Sequence, residues 1–221
     1  MREKYTKELG ELTDEIMQMG NLVCDAITAA GKALAGHDID AAEKIIRNDD
    51  LVDGKEKEIE SLSLKLLLQQ QPVATDLRII TAALKMVTDM ERIGDHAQDI
   101  SELIIQMAGA EAMDIEFIED MFREISGMVR GSIKAYADND FSAANSVIVR
   151  DDIVDGLYAK TKKNIISLIS QNPDKGEIFA DYLMIAKYCE RIGDHATNIA
   201  EWVIFSVTGD LPRSGKNTAS R

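Results

Sequence analysis

The sequence predicts an all-α protein built as two tandem antiparallel three-helix bundles, and three observations carry that prediction. Apolar residues recur at three- and four-residue steps along nearly the whole chain, with no alternating stretch that would signal a strand. Seven residues, Glu91-Arg92-Ile93-Gly94-Asp95-His96-Ala97, return unchanged as Glu190-Arg191-Ile192-Gly193-Asp194-His195-Ala196. A second motif, Asp49-Asp50-Leu51-Val52-Asp53-Gly54, returns as Asp151-Asp152-Ile153-Val154-Asp155-Gly156, 102 residues later. A repeat at that period marks one structural unit used twice.

The first helix is expected over residues 3–35, where Leu9, Leu12, Ile16, Met19, Val23, Ala26 and Ile27 form one apolar stripe that closes near Gly36. A break at His37-Asp38 restarts the pattern at Ile39, and the second helix continues to Gln71, before Pro72. Pro72 suits the first turn of a third helix that ends near Met107. After Ala108-Gly109-Ala110 the pattern resumes from about Asp114, with Phe117, Met121, Ile125, Met128, Ile133 and Tyr136 repeating the spacing of the first helix. The last helix is displaced by 99 residues, so the second copy has lost three residues around Asn172-Pro173. The units are therefore 1–108 and 114–208, each with its own small core, followed by a polar, turn-rich tail over 209–221.

Composition excludes several function classes. With 25 Lys and Arg against 39 Asp and Glu the net charge is -14, which repels a nucleic-acid backbone. The N-terminal Met1-Arg2-Glu3-Lys4-Tyr5 lacks an apolar core for export, and no apolar run is long enough to span a bilayer, so a cytoplasmic protein is expected. Cys24 and Cys189 lie in unrelated contexts and read as reduced, packed thiols. There is no Glu-x-x-His pair, Walker or Rossmann glycine loop, or His-Glu-x-x-His, which argues against an enzyme.

The motifs point instead to cations. On a helical wheel Glu91, Asp95, Asp99 and Glu102 fall within roughly 80° of one another, opposite Met86, Met90, Ile93, Ala97, Ile100 and Ile104. Asp49 and Asp53 are one turn apart, and Glu56 and Glu60 extend their stripe. With the second and third helices side by side, Asp49, Asp53, Glu91, Asp95 and Asp99 could converge on metal. Such an oxygen-rich shell suits Fe, Mn, Mg, Ca or Zn. About seven acid pairs at this spacing would arise by chance at this composition, so an ordinary solvated face stays open for any single pair. Repetition in both units favours the metal reading. The second copy is the poorer site, because Asn198, Tyr158 and Lys162 stand at the positions of Asp99, Glu56 and Glu60. His96 and His195 lie about 100° around the helix from the neighbouring Asp, which favours a helix interface or a supporting role over ligation. Gly94 and Gly193, mid-helix, suggest close helix approach.

Gln70-Gln71-Pro72-Val73-Ala74-Thr75-Asp76-Leu77-Arg78, the doubled Glu-Arg-Ile-Gly-Asp-His-Ala motif and Ile199-Ala200-Glu201 together resemble the PhoU family of regulators of phosphate-specific transport, over about residues 3–211. The resemblance implies iron or zinc clusters on the bundle surfaces. Carried over by motif, their ligands are Asp49, Asp53, Glu91, Asp95 and Asp99 in the first copy and Asp151, Asp155, Glu190 and Asp194 in the second. It also implies a homodimer, restraint of phosphate uptake and of starvation signalling, and contacts with the transporter ATPase and a membrane-bound sensor histidine kinase. A metal-dependent enzyme and a metal-free helical scaffold are the alternatives. No basic nest or glycine-rich helix start that would receive free phosphate is visible in the sequence.

Overall fold

The computed structural model describes residues 2–69, 72–110 and 113–210. Six long helices occupy them: α1 (Arg2–Gly36), α2 (Ile39–Gln69), α3 (Ala74–Gln106), α4 (Ile118–Asp138), α5 (Phe141–Gln171) and α6 (Gly176–Thr208). A single 3-10 turn over Pro173–Lys175 fills the place where three residues are missing relative to the first copy. Among the described residues there is no strand, and no helix is long and apolar enough to cross a membrane.

The duplication extends to the turns. His37 (φ 49°) and Asn139 (φ 52°) both adopt the left-handed conformation between the first two helices of their unit. Asp38 and Asp140 follow, each accepting a bond from a backbone N–H three residues on, at 2.9 Å from Ala41 and 3.0 Å from Ala143. This side-chain cap satisfies a helix-start donor that would otherwise lack a partner. Two starts differ from the sequence pattern. Pro72 precedes α3, with extended Val73 (φ -72°, ψ 162°) at the cap, so the proline ends the connection without entering the helix. Phe117 takes φ 72° and stands outside α4, because this bend lets the chain enter the helix one residue later than apolar spacing alone indicates. Gln71, assigned above to α2, and residues 211–221 of the expected tail lie outside the described residues.

The expected two cores are one. α3 lies antiparallel to α6 in the most extensive helix pairing, and α1 packs on α4. Ile16, Met19, Val23 and Ile27 of α1, Met86, Met90, Ile93 and Ala97 of α3, and Ile185, Cys189, Ile192 and Ala196 of α6 join a single buried cluster. The α1–α4 crossing obeys the internal two-fold: a Cβ on Gly20 would approach Ile133, and one on Gly31 would come 3.0 Å from the Phe122 ring. These two contacts map onto each other under the 102-residue displacement. Apolar periodicity specifies which face is buried but not which helix covers it, so the merging of the cores was not readable from it. Cys24 and Cys189 are buried free thiols, as expected.

Candidate metal centre

Each candidate site begins with a glycine. A Cβ on Gly94 would stand 3.1 Å from Asp49 Oδ1 and 3.2 Å from Val52 Cγ1, so the missing side chain lets α2 lie this close to α3 without displacing these atoms. A glycine costs a helix interior about 1 kcal/mol against alanine, and here that cost is offset by the packing it permits. The same crossing recurs at Gly193, where the nearest atoms are Val154 Cγ1 at 3.3 Å and Asp151 Oδ1 at 3.7 Å. Motif and glycine are thus one device. The second-helix aspartate is wedged against the third helix beside its own acidic stripe.

In the first unit the wedge concentrates negative charge. Burial, and then the charges of Asp95, Asp53, Asp50 and Asp99, push the Asp49 carboxyl up to about 6. Glu91 is raised by burial and by Asp95, with Arg92 opposing and Glu56 and Asp53 adding to the rise. Glu56 is raised by burial and by Glu60 and Asp53. The buried Glu91 Oε2 makes no hydrogen bond. Its counter-charge is Arg92, whose Nε lies 3.4 Å away and whose Nη1 is 2.9 Å from Asp95 Oδ2. One half-exposed guanidinium therefore serves two carboxylates of α3, and the upward shifts of Asp49, Glu91 and Glu56 come first from burial and then from the crowding of like charge. This donor set suits a hard or borderline cation. As the side chains stand, no three Asp, Glu, His or Cys groups among the described residues are arranged to hold one ion. Asp99 is turned toward the α3–α6 seam, its Oδ2 3.2 Å from His96 Nδ1.

The second unit supplies its own cation. Lys187 Nζ is 2.5 Å from Glu190 Oε2 and sits 5.4 Å from the centre of the Tyr158 ring. Thr88 and Glu56 stand at these two positions in the first unit. Sequence reasoning missed Lys187, although a lysine three residues before a candidate ligand glutamate, on one helix face, was a signal available to it. Asn198 donates its Nδ2 to Asp89 Oδ1 at 3.0 Å across the seam and belongs to the joint between the units.

That seam also holds both histidines. Their ring centres are 5.6 Å apart. His195 Nδ1 lies 2.8 Å from Asp89 Oδ1, whereas His96 faces the Tyr188 ring at 5.3 Å. Tyr188 is the counterpart of Asp89 under the 99-residue displacement. Burial lowers the His96 pKa, partly opposed by its bond to Asp99. The histidines join helices, in keeping with their angular offset from the acidic stripe. Arg191 lies over the Tyr188 ring at 6.0 Å.

Comparison with known proteins bears directly on this doubled arrangement. The family model for the PhoU domain matches residues 16–104 and again residues 118–203. The chain belongs to the PhoU family. It is 38% identical over 210 residues to the phosphate-specific transport system accessory protein PhoU homolog of Clostridium acetobutylicum, covering 94% of this chain and 96% of that one. Identity to the Caulobacter vibrioides homolog is 33% over 93% of this chain and 90% of the other. The fold is similar to the crystal structure of PhoU from Pseudomonas aeruginosa, with a TM-score of 0.89 at 30% identity over 93% of this chain and all of that one. The phosphate transport system regulatory protein PhoU from Streptococcus pneumoniae gives 0.86 at 29% identity, covering 94% of this chain and 98% of that one. Two PhoU domains in tandem therefore account for both the repeat and the shared core.

Proposed function

We propose that this chain restrains phosphate uptake and phosphate-starvation signalling as an adaptor, and that it works by contact rather than by turnover. In this reading it sits at the cytoplasmic side of a phosphate transporter, touches the ATPase subunit and a sensor histidine kinase, and pairs with a second copy. The observation that carries the reading is the match of both PhoU domains over nearly the whole chain, together with relatives named as accessory proteins of phosphate-specific transport.

The acidic grooves would hold iron or zinc. Asp49, Asp53, Glu91 and Asp95, with Asp99 at the edge, are the donors in the first unit, and Asp151, Asp155, Glu190 and Asp194 in the second. A bound ion would supply the positive charge the first groove lacks and a coordination position for an oxyanion or a partner's carboxylate. The chain's own part is to keep Asp49 wedged against Gly94, to hold Glu91 partly out of water, and to let Arg92 swing off Asp95. Arg92 is half exposed, so this ion pair contributes at most about 1 kcal/mol and yields readily.

Phosphate uptake and starvation-gene output, measured in cells lacking this gene and complemented with wild type or with Asp49→Asn/Asp95→Asn, test both levels. Loss of the gene should raise uptake, and wild type should restore restraint. Unchanged uptake and output in the deletion would refute the regulatory reading. Full restraint by the double variant would separate the metal from the regulation.

A further inference from the structure

We propose that the cleft between α1 and α4 is a binding site for a small amphiphilic anion, an apolar or aromatic body carrying one phosphate-like or carboxylate-like head. The cleft has a volume of about 550 Å³ and is walled by Ile27, Gly31, Ala35 and Phe122. That size falls within the range of small-molecule sites, which favour junctions between structural units, and α1 and α4 belong to different units. A second lobe of about 310 Å³, bounded by His37, Asp114, Glu119 and Tyr182, shares Gly31 and Phe122 with the first.

Three cations edge the first lobe: Lys32 from α1, and Arg123 and Arg130 from α4. Arg123 pairs with Asp120 one turn back. Lys32 and Arg130 have no carboxylate partner among the described residues, and Arg130 is directed at the Cys24 thiol. Glu119 is the one acid on the lining. On a chain at -14, Lys32 and Arg130 beside the paired Arg123 are a local exception to the charge balance. Under the internal two-fold Lys32 corresponds to Lys134, whereas Arg123 and Arg130 correspond to Asn21 and Thr28, so these two arginines are not a feature that the crossing repeats. The choice of a small ligand over an acidic protein segment follows from charge. A large acidic partner feels the repulsion of the whole surface, while a small anion feels mainly the nearby Lys32 and Arg130.

The probe is 1-naphthyl phosphate, titrated calorimetrically against the full chain, beside inorganic phosphate as the head alone and 1-naphthol as the body alone. Naphthyl phosphate should bind at least about tenfold more tightly than either part. Lys32→Gln/Arg130→Gln should weaken it by about tenfold or more, as expected for losing charged hydrogen bonds. Ala35→Trp, which fills the cleft without changing charge, should abolish binding, and thermal unfolding of both variants verifies that they fold. The proposal is overturned if naphthyl phosphate does not bind, if either part alone binds as well, or if neither variant weakens it. Binding of a glutamate-rich amphipathic peptide in the cleft, without naphthyl phosphate binding, would assign the surface to a protein partner and overturn it equally.

Discussion

The two acidic grooves descend from one pattern and differ in a single piece of chemistry. In the first unit burial, and then neighbouring carboxylates, raise the proton affinity of Asp49, Glu91 and Glu56, and Arg92 pairs with Glu91 and Asp95. In the second, Lys187 lies against Glu190 over Tyr158. Both keep the glycine wedge, so the backbone needs the crossing in each copy. The first carries three carboxylates whose proton affinity is raised, which makes it the candidate for an added cation that the electrostatics favour. Duplication preserved a scaffold, and a few surface exchanges at Thr88/Lys187 and Glu56/Tyr158 separated two electrostatic outcomes on it.

The largest expected effect comes from erasing the difference. Thr88→Lys with Glu56→Tyr gives the first groove the second one's neutralising pair. Its zinc affinity should fall by about 100-fold, at the upper end of what altered ligand surroundings cost, as read by calorimetry. Next is the pH dependence of the metal-free chain. Asp49 is raised from 3.8 to about 6, so between these values the folded state holds a proton that the unfolded state has released. Stability should therefore fall as pH rises through that window, by an amount on the order of 1–2 kcal/mol. Melting in chelator at pH 5 and pH 7.5 measures it, and Asp49→Asn should flatten the slope. Metal binding requires the ionised carboxylate, so the stabilisation by added metal should grow in the same direction. Lys187→Thr should strengthen the second groove's affinity by about tenfold, while changing stability by less than about 1 kcal/mol. The glycine pair tests the scaffold itself. Gly94→Ala, meeting atoms at 3.1 and 3.2 Å, should destabilise by about 1–2 kcal/mol. At Gly193 the looser 3.3 and 3.7 Å contacts should leave the same change near neutral in chemical denaturation, because alanine's helix preference offsets about 1 kcal/mol.

Much of this comparison was legible in the residues themselves. Apolar spacing marked six helices, since each buries one stripe, and the doubled motifs gave the two-fold repeat directly. The expectation of a poorer second groove rested on Asn198, Tyr158 and Lys162, and the structure places two of the residues that set the grooves apart differently. Asn198 faces Asp89 at the seam, and the neutralising cation is Lys187, whose role depends on where its flexible side chain settles. The merged core was hidden because periodicity cannot name the partner helix of a buried face. The cationic cleft was hidden for a related reason: Lys32 and Arg123 are 91 residues apart in sequence, and only the α1–α4 crossing brings them together. Phe117 shows the limit of apolar spacing at helix ends, where one left-handed residue shifts the start.

The central claim is that the first groove is the strong cation site and the second is largely self-neutralised. Zinc titration of metal-free wild type beside Asp49→Asn/Asp95→Asn and Asp151→Asn/Asp194→Asn tests it most directly. The account predicts that the tight binding phase disappears in the first variant and survives in the second. Tight binding lost only in the second variant, or equally in both, would contradict it.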